Sequence, residues 1–287
     1  MRILISGASG LLGSALIHNA PDFWQITGWV HTHKSNPDIY AEAVNLLMEK
    51  EIIKAFDACA PQLVIHTAAI ANANLCTDNP ELSEKINFRA SKCLAHLCAE
   101  KNIPLVFTST DLVFDGMKGN YTESDDPNPL SQYAEDKLMA EETIAQIIPS
   151  ALICRLPLLI GYSPYQQSGY LENFLLNHRA KKNQVLFTDE FRSPSGVHST
   201  AKSIIQIAGK HSGLLHLGGT EKMSRWQLGQ MLIESLNLQQ CEISNASIND
   251  YQGKTLRAKD VSLNSEKANL LGIKTVSLRD ELLSLRT

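Results

Sequence analysis

Three glycines at a fixed spacing constrain this chain more than any other feature. The stretch Gly7-Ala8-Ser9-Gly10-Leu11-Leu12-Gly13 follows the short apolar run Arg2 to Ser6 and precedes a helical run from Ser14 to Asn19. Such glycines permit a tight turn, close approach of the backbone to a pyrophosphate and close packing of the helix, whose first amides then face the phosphates. The spacing is G-x-x-G-x-x-G, and its strand and helix stand on the sides that this reading requires. A glycine-rich turn without a ligand is the alternative, and the context weighs against it.

The rest of the chain continues in the same manner. Strand-like runs at Gln25 to Val30, Leu63 to His66, Pro104 to Thr108, Ala151 to Arg155 and Leu214 to Leu217 are separated by helical patterns. These are Pro80 to Lys101, a helix capped by Ser131, Leu171 to Lys181, His198 to Lys210, and one running from Ser224 to Leu236. Strands alternating with helices predict an α/β protein built on a Rossmann-type, doubly wound parallel sheet. No linker, repeat or low-complexity segment divides the sequence. Residues 1–157 are therefore read as the dinucleotide-binding domain, with segments about 184–218 returning to it. Residues 158–287 are read mainly as a smaller, discontinuous substrate-binding lobe made of C-terminal segments.

With 287 residues the chain can bury roughly three quarters of its unfolded surface. A net charge of -4, from 26 basic and 30 acidic residues without a block of either sign, gives no reason to expect nucleic acid or an anionic membrane as partner. A small molecule is the better expectation. Six cysteines without a C-x-x-C pair read as reduced, which points to the cytoplasm. The glycines interrupt the first apolar run before it can serve as a signal sequence. No apolar stretch approaches the roughly 18 residues of a membrane span.

At the end of the second strand stands His31-Thr32-His33-Lys34, where NAD-selective domains usually carry a carboxylate. A neutral or cationic ending tolerates a 2′-phosphate, so NADPH is preferred over NADH, with Lys34 or a histidine such as His31 as the contact. His31 and His33 lack a Cys or carboxylate complement and are read as loop residues, with no metal expected. Asn45-Leu46 precedes a helical segment. Thr67-Ala68-Ala69 puts small residues at a strand end where a cofactor can pass, although tight packing would also explain the alanines. Asn87 is either bonded to sheet backbone or exposed, the former being favoured. Tyr133 and Lys137 are spaced i, i+4 near the start of a helix and so address one small volume. Alone, they would read as a surface pair.

Gly7-x-x-Gly10-x-x-Gly13, His66-Thr67-Ala68-Ala69, Ser109-Thr110-Asp111-Leu112-Val113-Phe114-Asp115-Gly116, Tyr133-x-x-x-Lys137 and Arg192-Ser193-Pro194 occur in this order. In that combination the chain resembles the extended short-chain dehydrogenases/reductases, specifically the dTDP-4-dehydrorhamnose reductase-like branch. The resemblance implies a catalytic trio of Thr110, Tyr133 and Lys137. Tyr133 would protonate the oxygen of a ketone as hydride reaches its carbon, and Thr110 would orient the carbonyl. Lys137 would hold the nicotinamide ribose and lower the phenol's pKa, where three units correspond to roughly 4 kcal/mol.

The resemblance further implies cofactor contacts at Gly7, Ser9, Gly10, Leu11, Leu12, Gly13, His31, Lys34, Asn45, Leu46, Ala68, Ala69, Thr108, Tyr133 and Lys137. Substrate contacts fall on Asn72, Thr110, Asp111, Phe114, Tyr133, Arg192 and Pro194. The expected substrate is a nucleotide-activated 4-keto sugar, dTDP-4-dehydrorhamnose or a close analogue, and a homodimer is left open. Two departures, Arg155-Leu156-Pro157-Leu158 in place of Arg-Thr-Ser-Trp and Asn74 in place of Asp, put the identity of the sugar in doubt. Leu112 stands where related dehydratases carry a Glu, which argues against dehydration. A non-catalytic, cofactor-binding subunit similar to the regulatory partner of methionine adenosyltransferase is one alternative, and a nucleotide-sugar epimerase is another.

Overall fold

The apolar runs become parallel strands: β1 (Arg2–Ser6), β2 (Gln25–Val30), β3 (Tyr40–Ala43), β4 (Leu63–His66), β5 (Leu105–Thr110) and β6 (Leu152–Leu156), with strand Gly213–His216 at one edge. The computed structural model describes residues 1–31, 40–165 and 169–284. Across the sheet the order is Gly213–His216, β6, β5, β4, β1, β2, β3. The chain thus moves outward from β1 in one direction and then restarts at β4 in the other. Open α/β sheets bind ligands at the carboxyl ends of the strands flanking such a reversal.

The helices are α1 (Leu11–His18), α2 (Glu49–Cys59), α3 (Ala73–Asp78), α4 (Pro80–Ser83), α5 (Ala90–Glu100), α6 (Gln132–Ile147), α7 (Tyr170–Arg179), α8 (Val197–Ile207) and α9 (Arg225–Leu236), followed by shorter C-terminal turns. Successive side chains of a strand point to opposite faces. Ile3 and Ile5 accordingly pack with Leu16 of α1 and with Val197, Ile204 and Ile207 of α8. Leu4 instead joins Phe56 of α2, Leu94 of α5 and Ile144 of α6. Strands β4, β5 and β6 are buried along their whole length, so each opens on consecutive apolar residues and not on an alternating pattern.

Outside the large sheet, Leu159–Ile160 pairs with Ser195–Gly196, Phe191–Arg192 with Met223–Ser224, and Gln184–Phe187 with Ile243–Ala246. A separate apolar cluster that includes Phe174, Leu186, Leu228 and Leu232 fills the space around them. Ser224 caps α9 as the sequence predicts, in a reciprocal box with Gln227.

Three differences from the sequence reading bear on the site. Strand β3 was not foreseen, because Tyr-Ala-Glu-Ala lacks the branched residues that mark a strand. Strand β5 runs two residues past its expected end, so Thr110 lies in the sheet. The helix expected from Pro80 to Lys101 contains a π-helical segment at Glu84–Arg89 between α4 and α5, a form that often occurs at functional positions.

Candidate active site

Ser6 of β1 and His66 of β4 are in register, so Gly7 and Thr67 leave the sheet side by side. Gly7 has φ +72°, and a Cβ there would lie 2.7 Å from the Ala68 amide nitrogen. A Cβ on Gly13 would lie 2.2 Å from the Gly7 carbonyl oxygen, so the third glycine lets α1 pack against the turn. Helix α1 starts behind Gly10 with no side-chain cap and no acidic residue in its first turn. Its first amides are therefore suited to a phosphate, and the turn fits a dinucleotide. Ser163 supports it by donating to the Ser9 carbonyl at 3.0 Å. Gly13→Ala is expected to cost about 1–3 kcal/mol through overpacking against backbone. A lowered urea midpoint with unchanged slope would show this, and an unchanged midpoint would show that the turn can relax.

The other expected cofactor contacts are distributed unevenly around this turn. Leu11 and Leu12 open α1, and Ala68 sits beside Gly7 with its amide 3.3 Å from Ser6 Oγ. Ala69 is exposed on the same loop, and His31 is exposed at the end of β2. Asn45 spends its side-chain oxygen on the Leu47 amide at 3.0 Å, while Leu46 packs onto the α2 core. Thr108 donates to the His66 carbonyl at 3.0 Å, which makes it a tie between strands. Lys34 and His33 lie outside the described residues.

Two of the three proposed catalytic groups meet at the end of β5. Ser131 accepts from the Ala134 amide at 3.4 Å and caps α6, presenting Tyr133 and Lys137 to the sheet. The Tyr133 phenol stands close enough to the Thr110 hydroxyl to be influenced by it, while that hydroxyl itself donates to Asp111 Oδ1 at 3.3 Å. One turn on, Lys137 Nζ lies 3.9 Å from the centre of the Phe107 ring. Their electrostatics correct the sequence expectation of a phenol depressed by Lys137. Burial, followed by the Asp111 charge, pushes the Tyr133 phenol up to about 12, with the Thr110 hydroxyl and Arg192 acting against it. Burial also lowers the Lys137 ammonium to about 7, opposed by Glu141. The phenol consequently keeps its proton at neutral pH, the state a proton donor requires.

Lys137 also makes stability depend on pH in a defined sense. Its folded pKa of about 7 lies below the ordinary 10.5, so between these values the unfolded chain binds more protons and stability rises with pH. Below that window the cost of a buried ammonium is fully present. Lys137→Met should therefore stabilise the cofactor-free protein most at about pH 6 and least at about pH 10. Urea denaturation at the two pH values checks this; a gain that grows towards alkaline pH would contradict it.

The residues expected to touch substrate are placed less uniformly. Asp111 and Arg192 are both buried and pair with each other through two hydrogen bonds, Arg192 Nε reaching Oδ2 at 2.6 Å and Nη2 reaching Oδ1. Phe114 is a correction: it is 1% exposed and stacks on Tyr121 with ring centres 4.0 Å apart, so it belongs to a local core. Pro194 is buried with its carbonyl tight against Gly219, which is also a packing position. Asn72 caps α3, accepting from Leu75 at 3.0 Å. Asn74 accepts from Thr255 at 2.8 Å.

The region around Arg155 is corrected as well. Arg155 forms a buried pair with Glu141, Nη2 to Oε2 being 2.7 Å, and Leu156 packs in the core beneath α1 and α8. Neither is free to face a substrate. The sequence reading missed Glu190, which holds Arg225 at 2.9 Å and Arg257 at 2.7 Å near the Asp111 pair. These partners lie dozens of residues apart, and no local pattern marks them. All six cysteines are free. Among the described residues, no helix is long and apolar enough to cross a membrane.

Comparison with known proteins agrees with this fold. A family model described as the RmlD substrate binding domain matches residues 1–285. A probable low-salt glycan biosynthesis reductase of Haloferax volcanii is 27% identical, the alignment covering 99% of this chain and 97% of that protein. Methionine adenosyltransferase 2 subunit beta of Mus musculus is 28% identical over 95% of this chain and 83% of its own length. A dTDP-4-dehydrorhamnose reductase of Bacillus anthracis, solved in complex with NADP, superposes with a TM-score of 0.88 over 99% of this chain and 97% of that one, at 19% identity.

Proposed function

The chain belongs to the RmlD substrate binding domain family, and we propose that it reduces a nucleotide-activated 4-keto sugar, dTDP-4-dehydrorhamnose or a close analogue, with NADPH. The observation that carries this reading is the meeting of Thr110 and Tyr133 at the same sheet end as the glycine turn. NADPH, when bound, supplies the hydride. The turn from Gly7 to Gly13 with the first amides of α1 would hold its pyrophosphate, and Lys137 its nicotinamide ribose. The Thr110 hydroxyl would orient the substrate carbonyl. The Tyr133 phenol would give its proton to the oxygen as that oxygen becomes an alkoxide, the charge being stabilised where it develops. On this reading residues 158–287 supply most of the sugar-nucleotide site.

The test is consumption of NADPH by the purified protein with a panel of 4-keto nucleotide sugars. Tight NADPH binding without turnover on any of them would count against the reading. Similarity to the beta subunit of a methionine adenosyltransferase favours a second reading, a cofactor-binding subunit that performs no turnover. Stoichiometric capture of an enzyme partner, with biological activity intact in Tyr133→Phe, would support that second reading.

A further inference from the structure

Behind the cofactor turn runs a buried chain of hydrogen bonds that none of the roles above uses. Ser6 Oγ accepts the amides of Thr67 at 3.2 Å and Ala68 at 3.3 Å. The same oxygen lies 2.5 Å from His66 Nδ1. On the other side of the ring, Nε2 lies 2.9 Å from Ser91 Oγ, and Ser91 in turn donates to the Asn87 carbonyl at 2.8 Å. Asn87 sits in the π-helical segment. Its side chain grips the loop after β4, accepting from the Ile70 amide at 2.8 Å and donating to the Ile70 carbonyl at 3.2 Å, and it also donates to Ser83 Oγ at 3.1 Å. Ser83 completes the chain by donating to Asp136, the neighbour of Lys137.

The proton positions in this chain follow from counting donors. Ser6 Oγ already receives the Ala68 amide and shares the Thr67 amide with the Ser6 carbonyl oxygen, so its own hydrogen is directed to His66 Nδ1. Ser91 spends its hydrogen on Asn87, so it must receive one from Nε2. His66 is satisfied in one state only, neutral and protonated on Nε2. A second proton on Nδ1 would face an oxygen with no lone pair to spare. The Phe107 ring adds a further reason for neutrality, since its centre is 5.8 Å from the imidazole and 3.9 Å from the Lys137 ammonium. A charged His66 would place a second cation on the ring that already carries Lys137.

We propose that His66 is a positioning residue: as the Nε2–H tautomer it ties the end of β1, with its glycine turn, to the π-helical segment, and through Asn87 and Ser83 to the helix that carries Tyr133 and Lys137. The cofactor turn and the proton donor are thereby held at a fixed separation by one directional network. Its expected effect on cofactor binding rests on the reductase reading; the state of His66 itself does not.

Two measurements test this separately. Nitrogen NMR of the ligand-free protein should show His66 as the Nε2–H tautomer with no titration down to about pH 5. An Nδ1–H tautomer, or titration near the ordinary histidine value, would overturn the proposal whatever the protein's function. In NADPH titrations, His66→Phe and Ser91→Ala should each weaken binding about tenfold. The double variant should be no worse than the weaker binder of the two, and His66→Gln, which can restore a donor towards Ser91, should recover part of the loss. Unchanged affinity in both single variants, or losses that simply add, would overturn the proposal. Ser91→Ala removes only one atom, so it reports even where His66→Phe fails to fold. A wild-type protein that binds no NADPH would refute the reductase reading, leaving the tautomer measurement to decide on His66.

Discussion

Tyr133→Phe is expected to cut turnover by roughly 10²- to 10⁴-fold while leaving NADPH affinity unchanged. Phenylalanine keeps the ring that fills this 8% exposed position and removes only the hydroxyl beside Thr110. Without that proton the carbonyl oxygen must become an alkoxide in a buried site, where an uncompensated charge is costly. Because the phenol stands near 12, the donor is protonated throughout the neutral range. Its loss by titration should depress the rate only as the pH climbs towards that value. Steady-state kinetics across pH, combined with a cofactor titration, separate the two effects. Turnover within an order of magnitude of wild type would remove Tyr133 as the donor, whereas a parallel loss of NADPH affinity would recast it as a binding group.

Much of the fold was legible because several of its strands follow from short-range chemistry. The glycine spacing set the first βα turn, and the apolar runs of β1, β2 and β4 stood at their observed limits. Ser131 and Ser224 announced helices that they do cap. The π-helical segment was not legible as such, because an inserted residue leaves the helical pattern nearly intact. The trace it did leave is the polar stripe Ser83, Asn87 and Ser91 at four-residue intervals on the packed side of an amphipathic helix, and all three are buried and bonded to one another or to His66.

Pairings across long separations were beyond reach for a different reason. Asp111 and Arg192 are 81 residues apart, and each alone reads as a charged group awaiting a ligand. Arg155 and Phe114 were likewise read towards the substrate, and both proved to be engaged within the protein, Arg155 by Glu141 and Phe114 by Tyr121. The sign of the Tyr133 shift was hidden likewise, since burial and a neighbouring carboxylate decide it and spacing along a helix reports neither.

Arg192→Leu is expected to destabilise the protein by roughly 3–5 kcal/mol, as removal of one partner leaves the other buried charge uncompensated. Asp111 is 0% exposed, and its carboxyl is already raised by burial with Arg192 the first of the opposing influences. Without the guanidinium, burial acts with less opposition and the carboxyl shifts further upward. A raised carboxyl binds more protons in the folded state than in the unfolded one at pH values between its unfolded and folded pKa. Stability is therefore lost as pH rises through that window, and the window should widen in the variant. Adding Asp111→Asn to Arg192→Leu removes the stranded charge and should restore a substantial part of the loss. Urea denaturation of the two single variants and the double variant closes the cycle. If Arg192 served only as a substrate contact, Arg192→Leu would raise KM at unchanged stability and the double variant would recover nothing, so a flat denaturation profile would return Arg192 to the role its sequence context first suggested.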